Sequence, residues 1–307
     1  MSLATIGQPA ASASTSGRPN PSVCEQVTSA VACRSAARTA GPGAEPTVRK
    51  PSAPARAVSA GGVVSGTGPG PPIQTNEHTS KQFDQELESL RARVLQMGGF
   101  VEQQVTLAID ALTTGDMELC ANIVANDHKV NSMEVGIDEE CSTIIARRQP
   151  AAGDLRLVMM VVKTITDLER IGDEAAKIAR MAKLINSVDR VQQPRYVEIR
   201  RMANLALEML RKSLDCFARL DVSGSAEVVR TDQHVDDEFR AILRQLITFM
   251  MEDPRTISAS IEILFIAKAL ERIGDHAKNI SEYVIYMVKG KDVRHVTLEE
   301  IEREIMA

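Results

Sequence analysis

From residue 82 onward the apolar positions Phe83, Leu87, Leu90, Val94, Met97, Val101, Val105, Ala108 and Leu112 recur at alternating spacings of three and four. That spacing lays one stripe along a helix of bundle type and predicts a helix over about 82–114, which Gly115-Asp116 ends. A second helix is expected over about 117–148, stopped by Pro150, because the residue before a proline avoids helical geometry. Asp154 is a candidate N-cap for a third, carried by Leu157, Val158, Val161, Ile165, Leu168 and Ile178 to about residue 184. After a spacer over 186–193, a first-turn Pro194 opens a fourth helix reaching about 220, and a fifth covers about 225–251. Asp253-Pro254, as N-cap and first helical residue, opens a sixth that ends before Gly290. Thr297-x-x-Glu300 has the form of a capping box for a short terminal helix over 298–306. Strand patterns are missing, so the reading is all-α: two tandem three-helix bundles.

Composition sets the N-terminal stretch apart. Residues 1–80 hold ten of the thirteen prolines and nine of the eighteen glycines, and none of the nine aromatic residues. The expected division is a disordered low-complexity extension over 1–78, a first bundle over 79–190, a second over 191–292 and a short tail over 293–307. An organellar transit peptide has a similar composition, but Pro and Gly would interrupt the amphipathic helix that import needs. No apolar run reaches the roughly eighteen residues of a membrane helix, and the five cysteines form no CxxC pair, so reduced thiols in a cytoplasmic protein are expected. Beyond residue 80 the chain carries thirty basic and thirty-eight acidic side chains, a balance that disfavours nucleic acid or anionic lipid and suits cations.

The second half repeats the first. Leu168-Glu169-Arg170-Ile171-Gly172-Asp173 recurs 102 residues later as Leu270-Glu271-Arg272-Ile273-Gly274-Asp275, and Asp127 with Val130 is answered by Asp232 with Val235. In each copy a Glu and an Asp stand one helical turn apart on one face, Glu169/Asp173 and Glu271/Asp275, and like charges so placed repel. A divalent or trivalent cation would offset them, and oxygen donors favour iron, manganese or magnesium, with zinc as a further candidate. The second helix adds an acidic row, Asp127, Asn131, Glu134 and Asp138, beside the apolar Val130, Met133 and Ile137. Asp232 and Asp236 repeat its start, whereas Phe239 and Leu243 replace its later members, which makes the first copy the better metal candidate.

A plainer account competes. Arg170 and Arg272 lie three residues before Asp173 and Asp275, close enough for ordinary intrahelical ion pairs. Gly172 and Gly274 count against it, since each costs about 1 kcal/mol relative to alanine inside a helix and implies close approach by a ligand or a neighbouring helix. His128, His234 and His276 are weaker candidates than the carboxylates, and Met159-Met160 and Met250-Met251 are expected in the core.

At these residues the sequence resembles the PhoU family of phosphate-transport regulators, over nearly everything from 81 to 296. The marks are Met97-Gly98-Gly99 with Val101-Glu102, Arg148-Gln149-Pro150 followed by Asp154-Leu155-Arg156, both Glu-Arg-Ile-Gly-Asp segments, and Val288-Lys289-Gly290. The resemblance implies two adjacent three-helix bundles, Glu-x-x-x-Asp motifs that bind metal clusters in some members, and a homodimer as a common state. It further implies a cytoplasmic adaptor rather than a catalyst, linked to the ATPase of the phosphate ABC transporter and to the phosphate-sensing histidine kinase. Such an adaptor restrains uptake and represses starvation genes when phosphate is plentiful. Two other readings are a carboxylate-bridged metalloenzyme such as a phosphate hydrolase, for which no base or nucleophile stands out, and a metal-free helical scaffold.

Overall fold

The computed structural model describes residues 81–187 and 196–294, with 296, 297, 299, 300 and 303. The extension over 1–78, Pro194 and most of the expected terminal helix lie outside the described residues. Six helices follow in order: α1 Lys81–Thr114, α2 Met117–Arg148, α3 Ala152–Asn186, α4 Val197–Arg219, α5 Val222–Glu252 and α6 Ile257–Lys289. A 3-10 turn, Pro254–Thr256, leads into α6. Among the described residues there is no strand, and no helix is long and apolar enough to cross a membrane.

The apolar stripes do what their spacing predicts. Leu90, Val94, Met97, Val101 and Val105 of α1 are fully buried, as are Val130 and Ile137 of α2 and Leu168, Ile171 and Ile178 of α3. Each such side chain contributes about 1.5–3 kcal/mol by leaving water. The turns are set by local chemistry. Gly115 (φ +75°) and Gly290 (φ +70°) take the left-handed backbone that ends α1 and α6. Asp116 caps α2 by accepting from the Leu119 amide, and Asp221 caps α5 by accepting from the amides of Ser223 and Gly224. The capping box forms: the Thr297 amide donates to Glu300, and the Glu300 amide to Thr297.

Two expectations are corrected. Asp154 is not a cap: α3 starts behind Ala151, without a side-chain cap, and Asp154 lies inside its first turn. Asp253 caps the 3-10 turn rather than α6 itself, through the Arg255 amide. Met159 (44 % exposed) and Met251 (80 % exposed) also stand outside the core expected for them, while Met160 is buried.

Helices α1–α3 form one bundle and α4–α6 the other, with α2 and α5 each touching only helices of their own half. The halves meet through α1 against α4 and, more extensively, α3 against α6. Polar groups pin this α3–α6 seam. Buried Asp167 accepts from His276 Nδ1 at 2.7 Å and Asn279 Nδ2 at 3.2 Å, and it is hydrogen-bonded to Tyr283. Buried Glu174 pairs with Arg272 at 2.5 Å. Arg272 therefore reaches across to the other half instead of serving Asp275 on its own helix.

The recurrent glycines turn out to be packing residues. A Cβ on Gly172 would stand 3.2 Å from Val130, and one on Gly274 would stand 3.4 Å from Val235, so each lets the neighbouring helix of its bundle close in. Gly98 does the same between halves, where a Cβ would meet Leu214 of α4 at 2.6 Å. Since alanine favours a helix over glycine by about 1 kcal/mol, the balance turns on space. Thermal melts are expected to rank Gly274→Ala above Gly172→Ala, and both above Gly98→Ala; a melt placing Gly98→Ala highest contradicts the packing assignment.

Candidate functional site: two unlike carboxylate faces

Helices α2 and α3 bring the first acidic group together. Asp127 and Glu134 of α2 and Glu169 of α3 are half-buried, and Asp173 is exposed at the rim. Proximity shows in their electrostatics. Burial, then Asp173, then Glu134 and Asp127 raise the Glu169 carboxyl above its ordinary value, against the opposing pull of Arg170. Burial and Asp173 raise Asp127 likewise, opposed by Arg180 and His128. Thr166 Oγ1 donates to Glu134 at 3.4 Å. Asp138 is exposed, and the charge of Asp138 bears on Cys141 instead of this group. The acidic row of α2 thus divides: Asp127 and Glu134 turn toward α3, while Asn131 and Asp138 turn to solvent.

The second group occupies the equivalent place between α5 and α6, with one difference in kind: the chain supplies its own cations. Lys268 Nζ donates to Glu271 at 2.5 Å, Lys278 to Asp232 at 2.7 Å, and Arg240 to Asp236 at 3.2 Å. At the repeat offset, Lys268 stands where the first half has Thr166, and Lys278 where it has Ala176. Lys268 also lies 5.5 Å from the centre of the Phe239 ring, the residue that replaces Glu134. A hydrogen-bonded Thr166–Glu134 pair in one half is answered by a cation–π contact in the other. Sequence reasoning missed these lysines, although the departures from repeat identity at Thr166/Lys268 and Ala176/Lys278 were the available signal.

The donor chemistry of the first face fits a hard cation, since it is all oxygen and no carboxylate among Asp127, Glu169 and Asp173 holds an ion pair among the described residues. A closed cage is not preformed: among the described residues no group of three or more His, Cys, Asp or Glu stands ready to hold one metal ion. The fit is that of a hydrated cation held through one or two carboxylates. On the second face Glu271, Asp232 and Asp236 are already matched by Lys268, Lys278 and Arg240, and a metal fits it poorly. His276 is committed to Asp167, and His128 and His234 are exposed.

Asp275 holds no ion pair among the described residues, and burial, then Glu271 and Asp232, push its carboxyl up to about 6, against Lys268. A folded-state value above the ordinary carboxylate range means that this group favours folding below about pH 4, and that the benefit is lost as pH rises through 6. Asp275→Asn is therefore expected to raise Tm over the parent more at pH 7.5 than at pH 4.5 in chelator-treated protein. An equal difference at both pH values contradicts it.

Comparison with known proteins places this geometry. The family model described as PhoU domain matches twice, at residues 94–182 and 199–284. The chain is 48% identical over 235 residues to the phosphate-specific transport system accessory protein PhoU of Serratia marcescens, covering 76% of this chain and 96% of that one. It is 47% identical over 231 residues to the protein of the same description from Escherichia coli, covering 75% and 95%. The crystal structure of PhoU from Pseudomonas aeruginosa superposes with a TM-score of 0.66 at 48% identity, over 68% of this chain and 100% of that one. The phosphate transport system regulatory protein PhoU of Streptococcus pneumoniae does so at 0.65 and 30% identity, over 69% and 99%. A helical duplication matched in both halves, with near-complete coverage of relatives that share almost half their residues, means that this chain belongs to the PhoU family.

Proposed function

We propose that this protein is a negative regulator of phosphate uptake and of the phosphate-starvation response. In this reading it acts in the cytoplasm as an adaptor between the ATPase of the phosphate ABC transporter and the phosphate-sensing histidine kinase, as a homodimer. The observation that carries the reading is the near-full-length identity to proteins described as accessory to phosphate-specific transport. The fold suits an adaptor, since α3 and α6 lock the halves into one body while α2 and α5 face outward on either side. An adaptor transmits a signal only if its affinity for one partner differs between that partner's states; equal affinity would shift nothing.

The first carboxylate face is the proposed metal site, with Glu169 and Asp173 as principal ligands and Asp127 and Glu134 beside them. A bound cation would neutralise the mutual repulsion of these groups and tie α2 to α3. Glu271, Asp275, Asp232 and Asp236 form the charge-compensated counterpart, and Asp138 is a solvent-facing neighbour.

Pulldown of the chain from cells grown in high and low phosphate is expected to recover the transporter ATPase and the kinase in proportions that change with phosphate. Recovery of neither under both conditions sinks the adaptor reading. A Glu169/Asp173/Glu271/Asp275 quadruple alanine variant is expected to derepress starvation genes in high phosphate; full repression would make the carboxylates dispensable for signalling.

A further inference from the structure

Six of the eleven exposed large apolar side chains among the described residues gather at the closed end of the α5–α6 hairpin. Ile247, Phe249 and Met251 lie on the last two turns of α5, and Ile257, Ile261 and Phe265 on the first three turns of α6. The connection between the two helices is short and tied down, with Thr256 Oγ1 donating to the Phe249 carbonyl at 3.2 Å, so the two sets stand side by side. A single exposed isoleucine is ordinary on a protein surface, whereas a cluster of this size marks a contact surface.

The cluster belongs to the second half. At the offset of 105 that relates Asp232 to Asp127, Ile247 is answered by Ser142 and Met251 by Ala146, and at the offset of 102 Phe265 is answered by Lys163. Leu155 and Met159 do answer Ile257 and Ile261, so the first hairpin keeps part of the α3 share and none of the α2 share.

The charges beside the cluster complement themselves. Arg244 and Glu252 are exposed, and neither holds an ion pair among the described residues. Their neighbours are engaged: Arg240 pairs with Asp236 and Asp237, and Arg255 with Asp253. Arg244 and Glu252 stand four residues before and four residues after exposed Thr248, and helical geometry sets all three within about 80° on the outer face of α5, with Ile247 and Met251 beside them.

We propose that this hairpin end is where a second copy of the chain docks, α5 against α5, antiparallel about a twofold axis at Thr248. The proposal rests on the homodimer reading given above and assigns it a surface. Twofold symmetry brings Arg244 of each copy to Glu252 of the other, so one face supplies two ion pairs, and it sets Ile247 near its own counterpart between them. Ile247, Met251 and the adjoining Ile257, Ile261 and Phe265 supply the attraction by leaving water. The charges select the direction, because a parallel approach sets Arg244 against Arg244 and Glu252 against Glu252.

Sedimentation velocity of the full chain over a dilution series is expected to show a monomer–dimer equilibrium. Met251→Lys, Arg244→Glu and Glu252→Arg should each raise the dimer Kd about tenfold or more while circular dichroism melts stay close to the parent Tm. The double variant Arg244→Glu/Glu252→Arg should return Kd to near the parent value, since the exchanged charges pair again across the axis. A parent that stays monomeric overturns both this contact and the homodimer reading beneath it. A dimer whose Kd is unchanged in the folded single variants overturns this contact and leaves the homodimer reading standing. Single variants that weaken the dimer without rescue by the double exchange mean that the face takes an unsymmetrical contact or another protein, and they overturn the antiparallel pairing.

Discussion

Helices α3 and α6 press against each other in the middle of the molecule, and two buried carboxylates of α3 find partners on α6. Asp167 holds His276 and Asn279, and Glu174 holds Arg272. Apolar packing supplies the bulk of the attraction, but it is tolerant of sliding; a buried carboxylate is not, because leaving it unpaired costs about 3–5 kcal/mol. The seam therefore fixes the register of one bundle against the other. Everything outward of it inherits that register: the two carboxylate faces lie on the flanks that α3 and α6 share with α2 and α5.

Duplication explains the symmetry, and divergence explains the chemistry. Val130 on Gly172 and Val235 on Gly274 are the same contact in both halves, so the backbones that carry the carboxylates are equivalent. The charges around them are not. In one half Asp127, Glu169 and Asp173 hold no ion pair among the described residues, and in the other Lys268 and Lys278 pair with Glu271 and Asp232. A tethered ammonium supplies its carboxylate with a cation from within the chain. One fold thus pairs a face whose Asp127, Glu169 and Asp173 hold no ion pair among the described residues with a face whose Glu271 and Asp232 carry cations of the chain itself.

Much of the fold was legible in the sequence because it rests on local rules. The spacing of three and four in α1 and the breaks at Gly115 and Gly290 all act over a few residues. The start of α3 was misread because Asp154 has the right chemistry three residues too late; as an acid in the first turn it still favours the helix dipole. The candidate site was legible as a list of carboxylates but not as an arrangement. Arg272 looked like a partner for Asp275 on its own helix, and only the crossing of α3 and α6 brings it to Glu174. Asp167 and His276, 109 residues apart, carry no local sign of each other. Gly172 implied close approach by a ligand or a neighbouring helix, and Val130 of the neighbouring helix takes the space.

The central claim is that the two carboxylate faces differ in their need for an external cation. Metal content of protein purified without an affinity tag or chelator, measured by elemental mass spectrometry, tests it most directly when the parent is compared with Glu169→Ala/Asp173→Ala and Glu271→Ala/Asp275→Ala. The account predicts that bound metal falls sharply in the first double variant and is largely retained in the second. Metal retained in the first and lost in the second, or absent from the parent, would contradict it.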